Sequence, residues 1–175
     1  MTRKIRRIMA TVLAAGLVTA CAGERPADLG VQNGELRPCP DSPNCVSSFA
    51  VDDRHRIAPL VFTDAPDRAF ARLKGTLERR GDVTIIEQSP TYLRVELRTR
   101  LFVDDGEFLL DAEKQLIHLR SASRLGWSDL GKNRDRMEVI RNEFARSATK
   151  ETSDAGTQSQ ETGRTARPNA SRTSD

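Results

Sequence analysis

The feature that most constrains the fold is a strict alternation of apolar and charged residues in the middle of the chain. Leu93, Val95 and Leu97 are separated by the charged residues Arg94 and Glu96. Because successive side chains of a strand point to opposite faces, one face of this strand is apolar and the other is polar. A polar face in contact with water is typical of an antiparallel sheet and argues against a parallel sheet covered on both sides. The alternation therefore predicts an antiparallel sheet with one wet face.

Neighbouring segments predict further strands and two helices. Asp104-Asp105-Gly106 interrupts one apolar run and predicts a tight turn or a bulge there. An apolar period of three to four residues predicts helices over residues 66–80 and from Asn133 to about Arg146. The predicted fold class is α+β, with a mainly antiparallel sheet of about four to five strands and two helices packed on one face. The predicted strands are residues 57–62, 83–87, 93–98, 102–111 and 116–123.

The first twenty residues have the layout of a secretory signal. Four basic residues precede an apolar run at residues 8–18, which is too short to span a bilayer comfortably. The end of this segment, Val18-Thr19-Ala20-Cys21, resembles a bacterial lipobox, which implies that Cys21 becomes the lipidated first residue of the mature chain, carrying palmitate. The alternative is an ordinary signal peptide cleaved near Ala20, which would leave a soluble periplasmic protein.

The basic residues of this segment account for the positive charge of the chain. The whole chain has a net charge of +3 and a pI of about 9.0, but the part after residue 20 has a net charge of −1. The basic character therefore belongs to the signal and not to a binding face, which argues against a nucleic-acid partner. We expect a protein of the bacterial cell envelope that contacts the membrane through its lipid. Ala22 is not the inner-membrane retention residue aspartate, which favours the outer membrane, facing the periplasm.

Composition divides the chain into four parts. Residues 1–20 are the predicted lipoprotein signal peptide. Residues 21–37 contain proline, glycine and asparagine without a sustained period and predict a tether. Residues 38–146 contain all the predicted strands and helices and form one domain. Residues 147–175 are rich in serine, threonine and charge, which predicts a disordered polar tail.

Cys39 and Cys45 remain as a pair once Cys21 is assigned to the lipid. An oxidising compartment favours a disulfide between them, and the prolines and turn-forming residues in the intervening segment suit a short closed loop. A redox-active or metal-binding pair is the alternative. It is less favoured because His55 and His118 are the only histidines and no zinc-binding spacing occurs. We expect a structural pair, no metal and no cofactor.

Three motifs resemble those of one protein family. Over residues 38–144 the chain resembles the family of domain of unknown function 1499, which groups bacterial and plastid proteins. Trp127 stands where that family has tyrosine, and Gly106 stands where it has an apolar residue. The resemblance implies a small envelope or lumenal domain without an established activity. The motifs are C-P-D-S-P-N-C-V-S-S at residues 39–48, the Asp104-Asp105 strand ending in F-L-L-D, and R-S-A-S-R-L-G-W-S-D-L-G-K-N-R-D-R at residues 120–136.

The last motif predicts an anion-binding site. Guanidinium forks, hydroxyl groups and the free N–H groups at the start of the second helix are groups that bind carboxylate, phosphate or sulfate. Arg120, Arg124 and Arg136 have no obligatory structural partner in the sequence. The candidate residues are Arg120, Ser123, Arg124, Asp129, Asn133, Arg134 and Arg136.

A purely structural network would use the same residues without a ligand. In this interpretation Asp129 pairs with Arg124 or Arg134, and Asn133 caps the second helix. The two glycines of the motif, Gly126 and Gly131, would take positive φ in turns. The core edge would be covered by Leu125, Trp127 and Leu130.

The sequence contains no recognisable catalytic motif. A nucleophile elbow, an HExxH pair, a phosphate-binding glycine loop and a dinucleotide fingerprint are all absent from the sequence. We expect a non-catalytic module that binds a small anionic ligand or another envelope protein. The alternatives are a hydrolase that uses Asp129 or His118 with Ser123, and a thiol-redox protein that uses Cys39 and Cys45.

Overall fold

The computed structural model describes residues 23–164, and the side chains among them up to residue 150. Within these residues the chain is α+β and its sheet is antiparallel, as the alternation predicts. The elements are β1 (Val31–Gln32), β2 (Glu35–Leu36), β3 (Cys45–Ser47), β4 (Leu60–Val61), α1 (Pro66–Glu78), β5 (Val83–Gln88), β6 (Tyr92–Arg98), β7 (Val103–Asp111), β8 (Leu116–Ser123) and α2 (Lys132–Arg164).

The main sheet has six strands, which is more than the four to five expected. Its order is β3, β8, β7, β6, β5, and β4 pairs with β8 beside β3. The additional strand is β3, which has three residues, whereas the two residues of β4 lie within the strand predicted at residues 57–62. Segments of this length are too short for an alternation of apolar and polar residues to be recognised. A separate hairpin of β1 and β2 also escaped prediction for this reason.

Both helices contribute to one core on one face of the sheet. The apolar stripe of α1 and the first turns of α2 share this core with the inward-facing residues of β6, β7 and β8. The helical members of the core are Ala69, Phe70, Leu73, Leu77, Met137, Ile140 and Phe144, and those from the three central strands are Leu93, Val95, Leu97, Phe108, Ile117 and Leu119.

Strand β7 runs without interruption through the predicted turn or bulge. Residues 103–109 pair in unbroken register with β6, so the prediction at residues 104–106 is wrong. Gly106 lies opposite Val95, and a Cβ at Gly106 would be 2.8 Å from Val95 Cγ2 and 3.0 Å from Leu97 Cδ1. Glycine is therefore required here by close packing of the neighbouring side chains and not by a turn.

The second face of the sheet is charged, but it is buried. Arg94 and Glu96, which the alternation assigns to a wet face, are both enclosed, and so are Glu107 on β7 and Arg120 on β8. The prediction of a wet face is therefore wrong. Alternation shows that one face is polar, but it does not show whether another segment covers that face.

The covering segment is residues 23–37, which we call the N-terminal strap. The carbonyl oxygen of Pro26 accepts a hydrogen bond from Arg94 Nη2 at 2.6 Å, and the N–H of Gly30 donates to Glu107 Oε1 at 2.8 Å. The strap thus contacts the sheet along its length, whereas the sequence predicts a tether. Its apolar contact is a second small cluster, formed by Leu36, Phe49, Tyr92 and Leu109.

Helix α2 continues to Arg164, well beyond the end expected near Arg146. Residues 147–164 of the predicted disordered tail are therefore helical. No proline occurs in this stretch, and the hydrogen bonds of a helix need no apolar face.

Residues 1–22, which include the predicted signal and Cys21, and residues 165–175 lie outside the described residues. Among residues 23–164, no helix has both the length and the apolar character needed to cross a membrane.

Candidate functional site

Cys39 and Cys45 are joined in a disulfide, with their Cα atoms 5.7 Å apart. Cys45 lies in β3, is buried, and pairs with Ala122 of β8. A cysteine at this position links the loop of the first motif to the edge of the sheet. Because a redox-active pair needs an accessible sulfur, the burial of Cys45 favours a structural role.

Arg124 is the centre of a buried network of ion pairs on the charged face. Its Nε donates to Asp105 Oδ2 at 2.7 Å, and its Nη2 donates to Asp105 Oδ1 at 2.8 Å and to Glu96 Oε1 at 2.7 Å. Arg25 from the strap and Arg98 from β6 each add a hydrogen bond to Glu96 at 2.6 Å. The bidentate contact with Asp105 occupies the fork with which Arg124 would bind an external anion.

The protonation of this network follows from its contacts. Burial acts to raise the pKa of Glu96, but the hydrogen bonds and charges of Arg124 and Arg25 outweigh it and lower the pKa to about 2. The hydrogen bond to Asp105 raises the pKa of Arg124, against the effect of burial. Glu96 and Arg124 are therefore both charged at neutral pH and neutralise each other.

Glu107 is fully buried between Arg94 and Arg120, its neighbours in register on β6 and β8. Arg120 Nη1 donates to Glu107 Oε2 at 3.3 Å, and the hydroxyl of Tyr92 donates to Glu107 Oε1 at 2.8 Å. Burial lowers the pKa of Arg120, while the carboxylate of Glu107 acts to raise it. The N–H of Gly30 in the strap provides a further hydrogen bond to Glu107.

The other arginines of the predicted anion site also have internal partners. Arg136 Nη1 donates to Asp104 Oδ2 at 2.6 Å, and both groups are buried. Arg134 donates to the backbone carbonyl groups of Arg56 and Arg54 at 2.8 and 2.9 Å. Carboxylates from β7 thus pair with the three arginines for which the sequence shows no partner, namely Arg120, Arg124 and Arg136.

Asn133 is a buried junction of hydrogen bonds and does not cap the helix as predicted. Its Nδ2 donates to Asn44 O at 3.0 Å, to Ser123 Oγ at 3.0 Å and to Asp129 Oδ2 at 2.8 Å, and its Oδ1 accepts a hydrogen bond from Ser121. Asp129 Oδ2 also accepts the N–H of Asn133 at 2.7 Å. Asp129 therefore satisfies a free donor at the start of α2, and makes neither of the arginine pairs expected of it.

A cleft of about 370 Å³ opens between the turn that joins β6 to β7 and the loop that follows β8. Its lining is mainly apolar. Ser123 and Asp129 are the predicted site residues that line it, whereas the five other candidates do not. The lining residues that the prediction missed include the apolar Leu101, Phe102, Leu125 and Leu130 and the cationic Arg100 and Lys132.

Large apolar side chains are exposed around this cleft. Trp127 is 69% exposed and Leu130 is 89% exposed, so the prediction that they cover the core edge is wrong. Leu130 has a φ of 55°, a backbone conformation that is uncommon for a bulky residue and that holds its side chain in solvent. Gly126 and Gly131 have positive φ, which confirms the turns predicted in this motif.

The sequence contains one feature that indicates the cleft. Leu101 and Phe102 are adjacent apolar residues in the connection between two strands, where polar turn residues are the rule. Assigning Phe102 to the following strand conceals this signal. In the structure the strand begins at Val103, which leaves both apolar side chains in the turn and exposed.

A second cluster of polar side chains consists of Ser48, His118 and Asp111. Ser48 Oγ lies 3.1 Å from His118 Nδ1, and Asp111 Oδ2 lies 3.8 Å from His118 Nε2. Burial lowers the pKa of His118, while the charge of Asp111 acts to raise it. Ser48 Oγ also accepts the N–H of Leu119 at 3.0 Å, so the hydroxyl serves strand pairing. Ser123, the predicted partner of a catalytic histidine, binds Asn133 instead.

Together the fold and the cleft define a class of protein: a small α+β domain with two helices on one face of its sheet and a strap across the other. The model of the DUF1499 family, described as a protein of unknown function, matches residues 35–144. The chain belongs to this family. The match begins in the strap and ends in the first part of α2. No curated protein and no solved structure matches the chain.

Among residues 23–164, no group of three or more histidine, cysteine, aspartate or glutamate side chains is placed to hold a metal ion.

Proposed function

We propose that this chain is a lipid-anchored envelope protein whose domain is a non-catalytic binding module. The binding site is the cleft between the β6–β7 turn and the loop after β8. Its ligand is an amphipathic anion, with an acyl-like apolar part and an acidic head group. The location is the periplasmic side of the outer membrane, held by the lipid on Cys21.

The character of the cleft is the observation that supports this proposal. Its volume of about 370 Å³ lies in the range of small-molecule sites, and its mainly apolar lining suits an acyl chain. Arg100 and Lys132 also line it and are exposed, and no carboxylate in the described part of the chain pairs with either cation. These cations are therefore available for an acidic head group, unlike the buried arginines of the motif at residues 120–136, which are already paired.

Labelled palmitate tests the anchor. We expect incorporation into the wild type and none into Cys21→Ser, because the lipobox cysteine is the attachment point. Incorporation into both proteins would contradict the anchor. Incorporation into neither would leave a soluble periplasmic protein, the alternative for this signal.

Titration with dodecanoate below its micellar concentration tests the cleft. The Cys21→Ser chain is used so that no covalent lipid competes, and binding is measured by calorimetry. We expect Phe102→Asp to weaken binding by about tenfold or more, since burying such a side chain contributes roughly 1.5–3 kcal/mol. Val61→Asp, an exposed position on β4, should bind as the parent does. Equal affinities for all three proteins, or no saturable binding, would overturn the assignment.

An envelope hydrolase is the second candidate function, and the contact between Ser48 and His118 is the observation that favours it. A fluorophosphonate probe would label Ser48 if His118 activates its hydroxyl. Labelling should then disappear in Ser48→Ala and persist in Ser42→Ala. A wild type that does not react with the probe would exclude this type of serine nucleophile.

A further inference from the structure

We propose that the cleft end of the domain docks directly on the bilayer that holds the lipid anchor. The domain then lies on the membrane surface instead of standing above it on a tether. This inference rests on the proposed anchor at Cys21 and extends the proposed function by naming the surface that the cleft faces. The docking surface consists of Leu101, Phe102, Leu125, Trp127 and Leu130.

The topology of the sheet brings these five side chains to one end of the molecule. Leu101 and Phe102 lie in the turn between β6 and β7, and the other three lie in the loop that follows β8. Because β6, β7 and β8 are adjacent in the sheet, the two loops are neighbours. Nine large apolar side chains are exposed in the described residues, and five of them are in these two loops. Such a concentration indicates a contact surface, whereas single exposed apolar residues do not.

The N-terminal strap brings the chain to this same end. Gly23 lies against the loop, since a Cβ at this position would be 2.8 Å from Arg124 Cβ and 3.1 Å from Leu125 Cγ. Its φ of 66° favours glycine as well. Cys21 is two residues earlier, and two residues span at most about 7 Å. A lipid on Cys21 would therefore enter a bilayer next to the docking surface, which leaves little room for a spacer between them.

The chemistry of the docking surface suits a lipid headgroup region. Trp127 is an amphipathic ring of the kind enriched where membrane meets water. Arg100 and Lys132 are the exposed cations nearest the cleft and complement anionic lipids. The two carboxylates that line the cleft, Asp104 and Asp129, are both held by internal hydrogen bonds. Asp104 is paired with Arg136, and the carboxylate of Asp129 accepts N–H groups of Gly131 and Asn133.

Docking in this orientation directs the mouth of the cleft toward the lipid. An amphipathic anion can then move between the bilayer and the cleft without exposing its acyl part to water, which would otherwise be unfavourable. The anchor, the docking surface and the binding site would act together at one end of the domain. The β7–β8 turn, at the opposite end of the sheet, would face away from the bilayer.

Trp127 provides the measurement, because it is the only tryptophan of the chain. The lipid-modified protein is reconstituted in vesicles of phosphatidylcholine and phosphatidylglycerol, some of which carry bromine on the acyl chains. Docking places the indole ring among the lipids. We expect a blue shift of Trp127 emission relative to the Cys21→Ser chain in buffer, and quenching by the brominated lipid.

Two variants separate docking from anchoring. Phe102→Asp and Leu130→Asp should still float with the vesicles, because the anchor is unchanged, but should lose most of the quenching. Both side chains are largely exposed, so neither change removes a core contact, and circular dichroism checks that each variant is folded. The matched control is Val61→Asp, which alters an exposed side chain next to the β7–β8 turn at the opposite end of the sheet and should be quenched as the wild type is.

The results that overturn docking differ from those that overturn the anchor. A lipid-modified wild type that floats with vesicles but keeps the emission of exposed tryptophan without bromine quenching refutes docking and leaves the anchor intact. A blue shift without bromine quenching refutes it as well, because a second copy or another protein would then cover the surface. A wild type that takes up no palmitate refutes the anchor and, with it, the docking inference.

Discussion

Arg124 forms ion pairs with two buried carboxylates of the charged face at once. Asp105 and Glu96 are almost completely enclosed, at 2% and 1% exposed. Removing the cation would leave Glu96 with the more exposed Arg25 and Arg98, and Asp105 with Arg94 at 3.7 Å. The cost of breaking a buried ion pair in this way is typically about 3–5 kcal/mol.

We therefore expect Arg124→Ala to lower the free energy of unfolding by about 3–5 kcal/mol. Urea denaturation at pH 7 measures the effect. Arg146→Ala, an exposed position on α2, is the matched control and should change the free energy by no more than about 0.5 kcal/mol. A stable Arg124→Ala that differs little from this control would mean that the arginine is held for a ligand and not for the fold.

Gly106 shows how closely the core side of the sheet is packed. A methyl group at Gly106 would overlap Val95 and Leu97, and neither neighbour has a flexible end that can move aside easily. We expect Gly106→Ala to destabilise the protein by about 1–3 kcal/mol through overpacking. Gly81→Ala serves as the control, since no atom lies within 4 Å of a Cβ there, and it should be neutral or slightly stabilising. Thermal unfolding of both variants would show the difference, and equal melting temperatures would contradict it.

At the scale of elements, the N-terminal strap is part of the folded domain. It supplies backbone hydrogen bonds to Arg94 and Glu107, an ion pair from Arg25 to Glu96, and an apolar contact through Leu36. Without the strap, the charged face of β6, β7 and β8 would lie open to water. The strap therefore covers the polar face of the sheet, as the two helices cover the apolar face.

Substitutions within the strap test whether it is structural. Leu36 is 2% exposed, so we expect Leu36→Ala to reduce the free energy of unfolding by about 2–4 kcal/mol. Val31→Ala, which alters an exposed side chain of the same strap, should cost about 0.5 kcal/mol or less. A flexible tether would tolerate both changes equally, so matching urea midpoints for the two variants would count against a packed strap.

At the scale of the whole molecule, the buried charges make the free energy of unfolding depend on pH. The pKa of Glu96 is lowered from 4.5 to about 2, so the folded state binds this proton less readily than the unfolded state does. A carboxyl group whose pKa is lower in the folded state stabilises that state. This stabilisation is fully present at a pH above the pKa of the unfolded state. This contribution is lost as pH falls from about 4.5 through about 2.

The comparison of the wild type with Glu96→Gln isolates this effect. The variant has no group that titrates at this position, so the difference in unfolding free energy between the two proteins should shrink by about 3 kcal/mol between pH 7 and pH 2. Urea denaturation at a series of pH values measures it. A difference that stays constant over that range would show that Glu96 is not held as a paired carboxylate.

Local pattern was enough to predict much of the architecture. The alternation around Val95 predicts an antiparallel strand, and the apolar stripes of both helices are visible at a period of three to four residues. The positive φ of Gly126 and Gly131 follows from the absence of a side chain. The motif at residues 120–136 indicates the family. Each of these features depends on residues close together in the chain, which is why sequence alone determines them.

Contacts between distant residues were decided by the tertiary structure. The partners of Arg120, Arg124 and Arg136 lie 13, 19 and 32 residues away, and only the register of β7 with β8 and the placement of α2 bring them together. The burial of the charged face depends on a strap that has no apolar period of its own. The cleft exists because two loops meet at one end of the sheet. Sequence determined which side chains are available, and the fold decided which are paired inside and which remain exposed.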